Sequence, residues 1–126
     1  MKEDKTLKIE SMYDYQHDIL GIRVVGGYKY KESVELEEGV MLDFNKDNIP
    51  IALEILDASK VLNIPNKQCL SNRKNIQMNI SISDEIIKVC LEVVVKIHNK
   101  EETMSVNSST INYINAPTMQ TELASI

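Results

Sequence analysis

Tryptophan is absent, phenylalanine occurs once, and glycine and proline occur only four and three times in 126 residues. That scarcity excludes a collagen-like repeat and a low-complexity chain. Alanine, the strongest helix former, also occurs only four times, which argues against a helical bundle. Two cysteines, Cys69 and Cys90, are too few for a disulfide scaffold and have no metal-ligand spacing. A membrane helix needs about 20 apolar residues; the longest apolar stretch here, Leu91 to Val95, is interrupted by Glu92. The opening MKEDKTLKIE has no apolar run, so an export signal is not expected. The expected location is cytoplasmic, with reduced thiols.

What the chain does have is β-branched residues. Isoleucine and valine supply 26 positions, within a composition that is 43% hydrophobic and 26% charged. Such side chains lose rotamer freedom against a helical turn and pack well on a pleated surface. The net charge is −5, and residues 1–64 carry all of it, with 8 basic and 13 acidic side chains; residues 65–126 carry 6 of each. A net-negative first half opposes a phosphate backbone, so no nucleic-acid partner is expected.

The alternation of polarity predicts a mainly β protein. Strands are expected over residues 7–13, with Leu7, Ile9 and Tyr13 on one parity, and from Ile19 to Val25, broken by Gly26-Gly27. A third is expected from Val34 to Phe44, with Gly39 as a bulge or bend, and a fourth from Ile49 to Leu56. Asn45 to Asn48 fits a hairpin turn, because Asn and Asp tolerate positive φ. Asp57 to Leu62 suggests a short helix with Asp57 as N-cap. Residues 66–75, NKQCLSNRKN, have the polarity of a linker. Ile76 to Ile82 alternates cleanly, residues 86–98 form a long strand, and Thr103 to about Ile114 returns. The expected layout is a four-stranded antiparallel module with a short helix (1–64), a linker (65–75), a three-stranded β-meander (76–116) and a flexible tail (117–126).

Two stretches carry a family likeness. YDYQHDILGIRV, from Tyr13, and GVMLDFNKDNIPIALEILDASK, from Gly39 to Lys60, resemble a family of small prokaryotic proteins classed as a domain of unknown function, number 2283. The matching positions include Tyr13, Asp14, Asp18, Leu20, Ile22, Gly39, Leu42, Asp43, Glu54, Ala58 and Ser59. Gly21 departs from the pattern, standing where the family usually has an aromatic residue, and Ala52 replaces a glycine. The resemblance covers about residues 7–62. It implies a small four-stranded sheet with a helix packed on it, no established activity, cofactor or substrate, and room for a regulatory binding role.

Four carboxylates are the main candidates for chemistry. Asp14 and Asp18 flank a short turn, where they are weak metal candidates; the plainer expectation is that both accept backbone N–H groups, since hard cations want about six oxygen ligands. Asp43 and Glu54 lie on parities opposite the apolar positions, so both are expected to point away from the core, paired across strands with Arg23 or a lysine. His17, His98, Cys69 and Cys90 have no regular ligand spacing, Cys90 is expected as a small packed residue, and Ser59 as a capping or packing residue. Lys67, Arg73 and Lys74 put three positive charges in the expected linker. No catalytic residue and no cofactor are expected.

The strand at 86–95 is apolar on both parities, including Ile86, Cys90 and Val94, and a strand of that kind is usually covered on both faces. Self-association, most simply as a two-fold dimer, is therefore expected. The functional expectation is a protein-binding or regulatory role through Asp43, Glu54 and Arg23. The alternative is a ligand- or metal-binding module, or an enzyme, that uses the surface around Asp14, Asp18, Asp43 and Glu54.

Overall fold

The computed structural model describes residues 6–26, 29–37 and 39–125. Gly27, expected to break the second strand, lies outside the described residues, as do residues 1–5 and 126. The strands are β1 (Thr6–Asp14), β2 (Ile19–Val24), β3 (Tyr30–Glu35), β4 (Val40–Asn45), β5 (Pro50–Ile55), β6 (Ile76–Ile82), β7 (Ile86–Ile97), β8 (Lys100–Ile111) and β9 (Met119–Ser125). Two short helices, α1 (Ala58–Val61) and α2 (Lys67–Ser71), lie between β5 and β6. All nine strands form one sheet in the order β3-β4-β5-β2-β1-β9-β6-β7-β8. Only the β1–β9 pairing is parallel; every other neighbour is antiparallel.

The mainly β expectation holds, but the count of four strands plus three does not. The region from Val34 to Phe44 is two strands, because Gly39 (φ 81°) takes a left-handed conformation and turns β3 into β4. The expected linker contains α2, whose N-cap Asn66 accepts the Gln68 N–H at 2.8 Å. The expected tail contains β9, which pairs with β1 on one side and β6 on the other. Leu123 of β9 is fully buried, and the Ser125 hydroxyl accepts the Ile76 N–H at 2.9 Å.

The turns follow from residue chemistry. The β4–β5 turn is held by Asn45 Oδ1, which accepts the N–H groups of Asp47 and Ile49, with Asn48 at φ 59°. Pro50 enters β5 at its first position, and the next residue, Ile51, is the extra one of a bulge opposite Asp43 and Phe44 of β4. His98 and Asn99 both have positive φ (51° and 64°) and form the two-residue loop that joins β7 to β8. Buried Asn112 fixes the return to β9, donating to the carbonyls of Ser83 and Ala116 and accepting the Ala116 N–H.

One face of β1, β2, β4, β5, β6, β7 and β9 builds the core, with Val34 of β3 and Met104 and Val106 of β8 packed partly buried against it. Ile9, Leu20, Ile22, Leu42, Phe44, Leu53 and Ile55 from the first half join Ile76, Met78, Ile80, Val89, Leu91 and Val93 from the second in a single buried cluster. Helices of four and five residues cannot cover a nine-stranded face. The sheet therefore folds over on itself, apolar face inward. Glu37, in the β3–β4 turn, accordingly lines a cavity with Lys88, Cys90 and Asn107 of β7 and β8.

Candidate functional site

Asp18 forms a clasp between the first turn and α1. It sits at φ 56° with its carboxylate buried, accepting the Tyr13 hydroxyl at 2.7 Å, the Ser59 hydroxyl at 2.6 Å and the Ser59 N–H at 3.1 Å. Its own carbonyl accepts the Ala58 N–H at 2.9 Å. Asp57 stands at the N-cap position of α1 but in a left-handed conformation, and its side chain makes no cap bond. The capping expected of Asp57 is thus done by Asp18, from 41 residues away along the chain to Ser59. Burial, the largest influence, pushes the Asp18 pKa up. The hydrogen bonds from Ser59 and Tyr13, with the Lys67 charge, outweigh it and hold the carboxyl below its ordinary value. Tyr13 is pushed well above the usual phenol range by burial and by its bond to Asp18.

Asp14 faces the other way. Its Oδ1 accepts the His17 N–H at 3.1 Å, and its Oδ2 lies 2.8 Å from His17 Nδ1; those bonds lower its pKa. Asp14 is exposed and Asp18 buried, so the turn separates the two carboxylates. Among the described residues, no group of three or more His, Cys, Asp or Glu is placed to hold a metal ion.

The outward faces of β4, β5, β2 and β1 carry a groove. Their register sets Met41, Glu54, Gly21 and Met12 in one row across the strands, and Asp43, Ala52, Arg23 and Glu10 in the next. The small residues Gly21 and Ala52 lie on a diagonal between larger neighbours and leave a groove of about 350 Å³, to which Asp14 and Ile19 contribute at one end. A Cβ added at Gly21 would meet nothing nearer than the Met12 carbonyl at 3.9 Å. The backbone there is an ordinary strand, so Gly21 serves no turn; its missing side chain opens the floor.

The rim is acidic. Among the described residues, Glu10, Asp14, Asp43 and Glu54 face the groove against Arg23, four negative charges to one positive, or net −3. Arg23 Nε donates to Glu10 Oε1 at 2.8 Å, not to Asp43 or Glu54 as expected from the sequence. Asp43 instead accepts the Ser33 hydroxyl at 2.6 Å. Among the described residues neither Asp43 nor Glu54 forms an ion pair. The structure thus brings Asp14, Asp43, Glu54 and Arg23 to one groove and leaves Asp18 out. Sequence reasoning missed Gly21 and Met12. The signal available for Gly21 was its departure from an aromatic pattern.

The remaining candidates lie elsewhere. Ser59 is the partner of Asp18; Cys69 lies in α2 and Cys90 in β7, both free thiols. His98 lies in the β7–β8 loop with Arg73 and Lys74 nearby, while Lys67 donates to the Tyr15 carbonyl at 3.0 Å. No helix among the described residues is long and apolar enough to cross a membrane.

Residues 12–59 match the family model described as "Protein of unknown function (DUF2283)". A Methanosarcina mazei protein with the provisional name hypoxanthine phosphoribosyltransferase is 34% identical over 106 residues, covering 83% of this chain and 85% of that one. The chain belongs to the DUF2283 family. An uncharacterised protein of Methanocaldococcus jannaschii is 26% identical over 95 residues, covering 75% of this chain and 80% of its own length. No solved structure matches. The part matched by the DUF2283 model runs from the end of β1 to the start of α1 and so contains both the Asp18 clasp and the floor of the groove. The Methanosarcina match is longer than that block and extends well beyond it.

Proposed function

We propose that this chain is a protein-binding module whose working surface is the groove over Gly21. The groove receives an apolar side chain flanked by lysine or arginine on a segment of a partner protein. The observation that carries this reading is the pairing of an apolar floor, made by Met12, Ile19, Gly21 and Ala52, with a rim of net −3. Such a surface attracts cations by complementary charge and gains from burying an apolar group. The name of the Methanosarcina protein is not carried over to this groove: a phosphoribosyl donor bears several negative charges, and four carboxylates on the rim oppose it there.

The test uses a displayed library of random peptides, selected on the wild-type chain and on Gly21→Phe. A Cβ at Gly21 meets only ordinary van der Waals contact and aromatic residues suit a strand, so the variant is expected to keep the fold, checked by its circular dichroism, while it fills the floor. The wild type should enrich peptides with an apolar residue beside Lys or Arg, and Gly21→Phe should lose them by about tenfold or more. Equal retention by both chains would remove the groove from the binding surface.

Self-association has a separate support. The outward face of β7 is less greasy in context than in sequence, because Cys90 and Val94 pair across to Asn107 and Thr103 and are half-buried. The edge strand β8, however, runs for 12 residues without proline and has one edge unpaired among the described residues. Ile86, Ile111 and Tyr113 are exposed at its end. Long unprotected edges pair with one another. We infer a two-fold dimer through β8 edges. Light scattering should give twice the 14.3 kDa chain mass. Ser105→Lys with Asn107→Lys should return it to the monomer mass, and a wild type that stays at one chain mass at high concentration would end this reading.

A further inference from the structure

A second cavity lies far from the acidic groove in chemistry. It has a volume of about 660 Å³ and is lined by α2 and the residues after it, which contribute Cys69, Asn72, Arg73 and Lys74, by Lys96 at the end of β7 and by His98 in the β7–β8 loop. Asn66, Gln68 and Asn99 complete the wall, so among the described residues no carboxylate lines it. The chain as a whole carries 19 acidic and 14 basic residues, which makes a carboxylate-free cavity with three permanent cations and a histidine a marked local reversal.

The cations there are not spent on each other's counter-charges. Among the described residues, Arg73, Lys74, Lys96 and His98 have no carboxylate within 4.0 Å. Glu101 stands opposite Lys96 in the β7–β8 register and still makes no ion pair with it. Arg73 is partly buried and is held in place by neutral acceptors only. Its Nε donates to the Ser11 hydroxyl at 2.8 Å, and its two terminal nitrogens donate to the Leu70 and Ser11 carbonyls, each at 3.0 Å. A guanidinium has five N–H donors, so these three bonds leave two unused. A half-buried guanidinium anchored in this way is preorganised, and among the described residues no carboxylate lies within 4.0 Å of it.

Other parts of the wall are equally fixed. Lys74 donates its backbone N–H to the Val94 carbonyl, and Val94 donates to the Asn75 carbonyl, so the segment after α2 is stitched to β7 beside Lys96. The two left-handed conformations of His98 and Asn99 make the tight loop and set where its backbone presents both side chains. The Asn66 side-chain oxygen is used as the α2 cap, which leaves its NH2 group as a donor. Donors and positive charge therefore converge from three segments: residues 66–74, the end of β7 and the β7–β8 loop.

We propose that this cavity binds a small oxyanion of two or more negative charges, of the phosphate or phosphate-ester type, with Arg73, Lys74 and Lys96 as its cationic contacts and the His98 ring as a further N–H donor. The proposal is independent of the Gly21 groove, since the two surfaces share no lining residue. It explains why Arg73 is half-buried without a carboxylate partner and why three of the six basic residues of 65–126 meet at one end of β7. It also makes residues 66–75 a wall of a site, where composition alone suggested a solvated linker.

The test is a titration of the full chain with inorganic diphosphate, followed by 15N–1H correlation spectra at physiological ionic strength, with inorganic phosphate and chloride in parallel. Saturable shifts should appear at residues 66–74 and 96–99, and diphosphate should bind more tightly than phosphate. Lys74→Ala with Lys96→Ala changes two exposed side chains, so the spectrum should keep its folded dispersion while affinity falls about tenfold or more. Gly21→Phe should leave the titration unchanged, which separates failure here from failure of the groove reading. Shifts that never saturate, that spread over lysines elsewhere, or that survive the double substitution would overturn the site.

Discussion

Strands β7 and β8 run for 12 residues each, whereas β2, β3, β4 and β5 run for six. The long pair needs little side-chain bracing. Its loop is closed by the backbone preferences of His98 and Asn99, and its inward face alternates without a fault from Ile87 to Val95. The short strands are fastened by specific polar bonds: Asp18 to Tyr13 and Ser59, Asn45 to its own turn, and Arg73 to β1. Short strands bury less apolar surface each, so a larger share of their order rests on directional bonds. The outward faces differ in the same way. The long pair alternates charged and polar residues of both signs, Lys88 beside Ser109, Glu92 beside Ser105 and Lys96 beside Glu101, while the short strands present an acidic groove. Regularity gives stability cheaply, and irregularity gives a surface something to recognise.

If that contrast is one of style within a single fold, the halves must unfold together. Removing residues 119–126 is the severest trial. It deletes the strand between β1 and β6 together with fully buried Leu123, and it should abolish cooperative unfolding of the entire chain in urea. A first half that kept its own transition would show the halves to be independent bodies.

Next in size, Asp18→Ala should cost about 3 kcal/mol in a urea titration, because it strands two hydroxyls and an N–H inside the fold. The same carboxylate sets an acid limit. Its folded pKa lies below the unfolded value, so its contribution is complete above the ordinary carboxylate pKa of about 3.9 and disappears as the pH falls through the folded value. The wild type should therefore lose stability below about pH 4 more steeply than Asp18→Ala. Parallel curves would mean that the clasp is not what acid breaks.

The sequence made the second half easy to read because one rule governs it. Ile76, Met78, Ile80 and Ile82 announce their face by spacing alone, and the structure buries all four. β3 escaped because YKESVE turns only Val34 and Glu32 even partly inward, and a strand with so little buried surface has almost no apolar period. β9 escaped because Leu123 is its only fully buried residue, and the partners that order it are remote in sequence. In the groove, parity correctly put Asp43 and Glu54 outside. Their meeting with Asp14 depends on a strand order that alternation cannot supply. The basic cavity was half legible, since Arg73 and Lys74 stand out in NKQCLSNRKN, but Lys96 and His98 arrive only through the stitching of residues 74–75 to β7.

The parallel seam between Thr6 and Glu122 has a kinetic consequence. Nearly the whole chain must be threaded before that pairing forms, and such distant closures are slow because the loop entropy is lost before any contact is gained. Until then β1 and β6 each offer a bare flank to the same vacant slot. Any extended segment with a leucine at the right place competes for it, a second molecule's Leu123 first of all. Exchange of this strand between copies during refolding at high concentration is the failure to which the architecture is most exposed.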